Sequence, residues 1–228
     1  MCGRFSLTQD IAEFLRELGL SVPPELAHPR QYNIAPSQPV LGVVADPVPR
    51  LMVMEWGFLP AWAKPESDTK PVINARGETV AEKPFFRGAF RSARCALLAD
   101  GFYEWKRTGT QKQPYRITLQ GGNIFAMAGL WSARMVSDGS EQITCAVVTT
   151  GPNELMRPIH DRMPVILDGE AVRVWMDPGS SPEALADVMR PVPDGFLTRH
   201  PVSTTVNSAR NDSPECIRAI ALADGGPN

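Results

Sequence analysis

No stretch of this sequence could cross a membrane as a helix. Its longest apolar runs, such as Ile143–Val148 interrupted by Thr144, fall far short of the ~20 residues needed. The N-terminus lacks a basic patch followed by an apolar core and a small-residue cleavage site, so no secretory signal is read there. Cysteine and histidine are scarce. Cys2, Cys95, Cys145 and Cys216 form no C-x-x-C pair, and His28, His160 and His200 give no zinc-ligand spacing. No disulfide framework, metal or cofactor is expected, and a reducing cytoplasm is the economical compartment. Internal repeats, low-complexity segments and long linkers are also missing, which removes fibrous and disordered classes.

What is present is 228 residues, 43% of them hydrophobic, with 22 prolines and 18 glycines spread throughout. A chain this long buries ~70% of its unfolded surface, enough to fold without staples. The punctuation suits many short elements joined by turns. Strands are expected at Val40–Ala45, Arg50–Trp56, Cys95–Ala99, Phe102–Trp105, Tyr115–Leu119, Ile124–Trp131, Ile143–Thr150, Pro164–Leu167 and Leu197–Val202. Asp100-Gly101 and Gln120–Asn123 read as turns between neighbouring strands. Helices are expected from a Thr8 cap to Gly19, over Glu170–Met176, and over Pro182–Arg190 behind a Ser181 cap. Strands dominate without βαβ alternation. The expected fold is α+β, a single domain over residues 1–228 around a twisted, barrel-like, mainly antiparallel sheet with peripheral short helices.

The formal net charge of −2 hides an uneven distribution. Residues 60–116 carry eleven Lys/Arg against six acidic residues, a local balance of +5. A polyanion could use such a basic middle, and ordinary charge scatter would also produce it.

The second residue carries the most distinctive chemistry. An initiator Met before a small residue is normally removed, which would leave Cys2 at the mature N-terminus. Its α-amine, with an ordinary pKa of ~7.7–8.0, is then partly neutral at physiological pH and lies beside a thiol of ordinary pKa ~8.5. Such a 1,2-aminothiol attacks an aldehyde through nitrogen and closes a thiazolidine ring through sulfur, an intramolecular step that proximity favours. Taken alone, a cysteine at this position is as well explained as incidental. Glu104, in Asp100–Trp105, shares a strand face with Phe102 while Tyr103 and Trp105 share the other. A carboxyl on a half-apolar face suits general acid/base work, although a solvated strand residue fits the same pattern. His160, in Arg157–Pro164, could shuttle protons or simply be exposed. Asn74 and Arg76 offer an orienting amide and a phosphate-holding guanidinium, which Arg4 and Arg162 could join. Trp62 and Pro36 could meet bases, or serve packing and a turn.

In order along the chain, Met1-Cys2-Gly3-Arg4, Tyr32–Pro36, Trp56–Pro60, Asn74-Ala75-Arg76, Asp100–Trp105, Ile159–Pro164, His200–Ser203 and Val206-Asn207 resemble the motifs of the SRAP (SOS response-associated peptidase) family. The resemblance covers nearly the whole chain. It implies a sensor of abasic sites in single-stranded DNA during the DNA damage response, whose N-terminal cysteine crosslinks the ring-opened aldehyde as a thiazolidine with lyase-like imine chemistry. Carried onto this sequence, Cys2, Asn74, Glu104 and His160 are the implied catalytic residues. Arg4, Pro36, Trp62, Arg76 and Arg162 are the implied DNA contacts. The protein would act as a cytoplasmic monomer, gathered to the nucleoid when bound to DNA, with no metal and no membrane partner. A single tryptophan in Pro60–Lys64, where some relatives carry an aromatic pair, implies thinner base stacking. The short end after Ile220 implies a bacterial stand-alone form without a clamp-docking tail. The competing reading is a cysteine peptidase or N-terminal-nucleophile hydrolase, including or limited to removal of Met1. A non-catalytic single-strand binding module is the third.

Overall fold

Five strands, each built around an apolar run, close on one another as a barrel. They are β3 (Pro39–Ala45), β4 (Pro49–Trp56), β6 (Arg94–Ala99), β9 (Phe125–Met135) and β10 (Glu141–Thr150). The order runs β4-β3-β6-β9-β10 through antiparallel ladders, and β10 returns to β4 by a short parallel pairing at Thr144↔Glu55 and Cys145↔Trp56. This computed structural model describes residues 2–23, 26, 29–45, 48–64 and 68–222. Met1, whose removal is expected, and the end of the chain beyond residue 222 lie outside them.

β6 is buried on both faces because the barrel interior lies on one side and helix α3 (Gly169–Met176) covers the other. The buried Trp175 of α3 donates its indole N–H to the Cys95 carbonyl at 2.9 Å, so the helix is pinned as well as packed. The interior leaves little room. A Cβ on Gly129 would lie 2.8 Å from the Cys95 sulfur. All four cysteines are free and buried.

A second sheet lies against the barrel. It comprises β1 (Phe5–Leu7), β2 (Gln31–Ile34), β7 (Gly101–Thr108), β8 (Gln111–Leu119) and β13 (Leu197–Pro201) in the order β2-β1-β7-β8-β13, all antiparallel. One apolar cluster runs from the barrel to the inner face of this sheet, including Phe5, Leu7, Phe102 and Ile117. A smaller cluster of Tyr103, Val202, Val206 and Cys216 lies behind it. The short strands β5 (Asn74–Arg76), β11 (Met163–Pro164) and β12 (Ile166–Leu167) add to the barrel, with β5 parallel to β10. The helices α1 (Ala12–Glu17), α2 (Arg87–Ser92), α3 and α4 (Pro182–Val188) are short and peripheral. The α+β, barrel-like, mainly antiparallel architecture expected from the sequence is the one observed. Among the described residues, no helix is long and apolar enough to cross a membrane.

Two turns were assigned the wrong task. Asp100-Gly101 does not close a hairpin, because β6 belongs to the barrel and β7 to the second sheet. Asp100 is fully buried there. Its carboxylate accepts from the Ser6 hydroxyl (2.6 Å), the Thr8 backbone N–H (2.7 Å) and hydroxyl (2.5 Å), and the Arg116 guanidinium (2.8 Å). Gly101 is required by that guanidinium, which a Cβ would meet at 2.8 Å. Gln120–Asn123 likewise joins strands of different sheets. Thr8, expected to cap α1, is drawn to Asp100 instead, and Asp10 accepts from the Ala12 N–H at 2.9 Å. The Ser181 cap of α4 is present, accepting from Ala184 N–H at 3.2 Å.

The buried ion pair yields a stability prediction. Asp100→Ala strands a guanidinium whose side chain is 11% exposed and removes the acceptor for the Ser6 hydroxyl and for both Thr8 donors. A loss of roughly 3–5 kcal/mol is expected, read as a lowered urea midpoint at unchanged slope. A loss below about 1 kcal/mol would show that the pair does not anchor the fold.

Candidate functional site

β1 brings the N-terminus across the second sheet. It pairs with β7 at Phe5↔Phe102 and Ser6↔Gly101, and the Tyr103 N–H donates to the Arg4 carbonyl at 2.9 Å. That register sets Cys2, fully buried, near Glu104. On its other side, β5 pairs with β10 at Val147↔Asn74, and the Asn74 amide donates to the Cys2 carbonyl at 2.8 Å. The Asn74 Oδ1 is buried with no hydrogen-bond partner among the described residues. An unmet buried acceptor costs about 1–3 kcal/mol, which an incoming donor would recover.

His160 follows a series of tight turns and is held by its backbone N–H to the Met156 carbonyl at 2.9 Å. Its Nε2 stands 4.0 Å from Glu104 Oε2. Its Nδ1 accepts the Arg162 backbone N–H at 3.0 Å and lies 2.8 Å from Asp161 Oδ1. Neutral imidazole with Nδ1 accepting carries its proton on Nε2, toward Glu104. Burial lifts the Glu104 carboxyl from its ordinary 4.5 to about 7. Burial also lowers the His160 imidazole, against the opposing pull of Asp161. The Cys2 thiol is pushed far above its ordinary range, first by burial and then by the Glu104 charge. The arrangement is a buried, protonated thiol beside a carboxylic acid and an imidazole able to exchange protons near neutral pH.

A cleft of about 480 Å³ opens here, lined by Glu104, Trp105, Arg107, Lys112, His160 and Asn207. Trp105 is fixed by its indole N–H to Asn207 Oδ1 at 2.7 Å and by the Arg4 guanidinium 5.9 Å from its ring. A separate cavity of about 400 Å³ has Asp10, Glu13, Glu17 and Asp168 among its lining residues, the wrong sign for a polyanion.

A family model described as SOS response associated peptidase (SRAP) matches residues 1–209. The chain belongs to the SRAP family. It is 42% identical over 224 residues to the abasic site processing protein YoqW of Bacillus subtilis (strain 168), covering 96% of this chain and 100% of that one. It is 32% identical over 227 residues to the abasic site processing protein YedK of Escherichia coli (strain K12), with the same shares covered. A crystal structure of a protein from Bacteroides thetaiotaomicron superposes with a TM-score of 0.85 at 26% identity, covering 96% of this chain and 100% of that one.

Of the residues singled out in this SRAP sequence, the fold gathers Cys2, Asn74, Glu104 and His160. Arg4 lies against Trp105, but it also braces the loop after β13. One of its nitrogens donates to Asn33 Oδ1 at 2.7 Å and to the Val206 carbonyl at 2.6 Å. Arg162 is engaged more fully, gripping Glu78 through two bonds of 2.6 and 2.9 Å and the Thr149 carbonyl at 2.5 Å. Pro36, Trp62 and Arg76 are exposed and do not line the cleft. Trp62 is 63% exposed with its ring edge-on to Phe85 at 6.1 Å. Arg107, Lys112 and Asn207 were not singled out from the sequence. The signal for the first two was available as a cationic stretch, residues 105–114, without an acid.

The raised Glu104 carboxyl has a thermodynamic signature. The folded protein keeps this proton to higher pH than the unfolded chain, so it binds more protons between pH 4.5 and about 7. Stability therefore falls as pH rises through that window. Glu104→Gln should match the parent near pH 5 and exceed it by about 2–3 kcal/mol at pH 8 in paired denaturation curves. Parallel pH profiles would show that Glu104 is ionised in the folded state throughout.

Proposed function

We propose that this protein processes abasic sites in single-stranded DNA by capturing the ring-opened sugar covalently on Cys2. The observation that carries the reading is that Asn74 bonds to the buried Cys2 carbonyl while Glu104 and His160, 4.0 Å apart, line a cleft with Arg107 and Lys112. The names of the relatives, abasic site processing proteins at 32–42% identity, support it.

The chemistry follows from the groups present. Hydrolysis of the Met1–Cys2 bond frees the α-amine. Glu104, protonated up to about pH 7, donates to the sugar ring oxygen as the ring opens and exposes the aldehyde. The Cys2 nitrogen adds to that carbon to give a carbinolamine. His160 takes the proton that the carbinolamine nitrogen gives up and passes it to the departing hydroxyl, and loss of one water leaves an imine. The Cys2 sulfur then adds to the same carbon, its proton passes to nitrogen, and the thiazolidine closes. Atoms balance with one water released, and nothing is oxidised or reduced. Asn74 holds the Cys2 carbonyl while its unmet Oδ1 accepts an N–H of the adduct. Arg76 contacts phosphate, Trp62 and Pro36 lie along the bases, and Arg4 and Arg162 brace the walls.

The peptidase named in the family description requires a thiolate nucleophile. Burial and the Glu104 charge both hold the Cys2 thiol protonated, which favours nitrogen attack first.

The test mixes untagged protein, its Met1 loss confirmed by intact mass, with an abasic single-stranded oligonucleotide on a denaturing gel. A lesion-dependent, near-stoichiometric band is expected, and it should vanish in Cys2→Ala and in protein with a blocked N-terminus. Equal crosslinking by blocked protein would overturn the amine mechanism, and repeated product release would establish the hydrolase instead. His160→Ala should bind the oligonucleotide within about twofold of the parent yet crosslink at least ~10²-fold more slowly. Equal losses in both would make His160 a contact residue.

A further inference from the structure

The β7–β8 hairpin extends beyond the strand that pairs with it. β1 meets β7 only at Phe102 and Gly101, whereas the β7–β8 register continues to Thr108↔Gln111. The outer stretch, residues 105–114, carries Lys106, Arg107 and Lys112 and no acidic residue. Arg107 and Lys112 are direct partners across the two strands, both exposed, and both line the cleft that holds Glu104 and His160. Like charges placed opposite each other on a ladder are destabilising. Neither side chain makes an ion pair or hydrogen bond among the described residues, so the protein itself does nothing to relieve the repulsion.

We propose that Arg107 and Lys112 form a two-point clamp for the backbone phosphates flanking the nucleotide captured at Cys2. The clamp rests on the proposed reading of single-stranded DNA as substrate. An anion between the two cations removes the repulsion and gains charge-assisted hydrogen bonds from both. Because the clamp touches phosphate and not bases, it is indifferent to sequence and to whether a lesion is present. Its role is to hold the strand in register while the slower covalent steps proceed.

The test uses an undamaged single-stranded oligonucleotide, so it is independent of crosslinking. Binding is followed by fluorescence anisotropy between about 50 and 200 mM salt, the range over which phosphate contacts are screened. Each phosphate contact on a single strand contributes a slope of about 0.7 in log Kobs against log salt. Arg107→Ala/Lys112→Ala should therefore flatten the slope by about 1.4, with at least ~10-fold weaker binding at the low-salt end, and Lys112→Gln alone by about 0.7. A control pair at exposed sites away from the cleft, Arg50→Ala/Arg190→Ala, should leave the slope unchanged. Melting temperatures of the clamp variants should equal or slightly exceed the parent's, since a repulsion has been removed. On an abasic oligonucleotide at sub-saturating concentration, the double variant should crosslink at least ~10-fold more slowly than the parent. A double variant that keeps the parent's slope would overturn the clamp, as would weakened binding with no change in slope. Parent protein that shows the slope difference but never crosslinks would leave the clamp standing and remove the capture reaction instead.

Discussion

A three-residue strand at the start of a chain has too few ladder bonds to hold itself in register, and the buried Asp100 carboxylate supplies the missing anchor. It ties Ser6 and Thr8 of the N-terminal segment to Arg116 of β8, at the point where the chain leaves the barrel for the second sheet. With Phe5 against Phe102 and the Arg4 carbonyl on the Tyr103 N–H, the residues before β1 must emerge beside Glu104. Asn74 then fixes Cys2 from the barrel side. Cys2 is thus positioned by two sheets at once, a more rigid arrangement than a loop would give.

Burial does the second part of the work by moving protons. The same exclusion of water raises the Glu104 carboxyl to about 7, where it can exchange a proton near neutral pH, and lowers the His160 imidazole. It also holds the Cys2 thiol protonated. In the proposed reaction this orders the bonds, nitrogen before sulfur, because the sulfur becomes nucleophilic only once a neighbouring nitrogen can take its proton. A hydrolase would need the opposite electrostatics, a thiolate stabilised by nearby positive charge.

Short apolar runs between turn signals made the barrel strands legible in the sequence, and period-two alternation did so for the facing of Phe102 and Glu104. Tyr103 and Trp105 indeed share the second apolar cluster. The Ser181 cap was equally readable because it acts within four residues. What failed was long range. Asp-Gly between two strands signals a hairpin only if the strands pair with each other, and nothing local reveals that Asp100 will be buried against an arginine 16 residues on. β1, β2 and β5 are too short to show a period. The convergence of Cys2, Asn74, Glu104 and His160 depends on strand order, which a single sequence does not display. The succession of motifs shared with the SRAP family names these four residues, but it does not show that Glu104 and His160 meet at Cys2.

The charge distribution has a similar history. The basic middle of the sequence divides on folding into cations committed to structure and cations left over. Arg94 and Arg116 are buried in hydrogen bonds, whereas Arg107 and Lys112 line the cleft without partners among the described residues. The central claim, that amine and thiol of one residue both bond to one carbon, is tested most directly by counting thiols in the adduct. Processed protein carries four cysteines. After crosslinking to an abasic oligonucleotide, denaturation and alkylation with iodoacetamide, intact mass should show three alkylated cysteines and loss of one water, the Cys2 sulfur being held in the ring. Four alkylated cysteines, with an adduct that survives only after borohydride reduction, would contradict the account and leave a simple imine in its place.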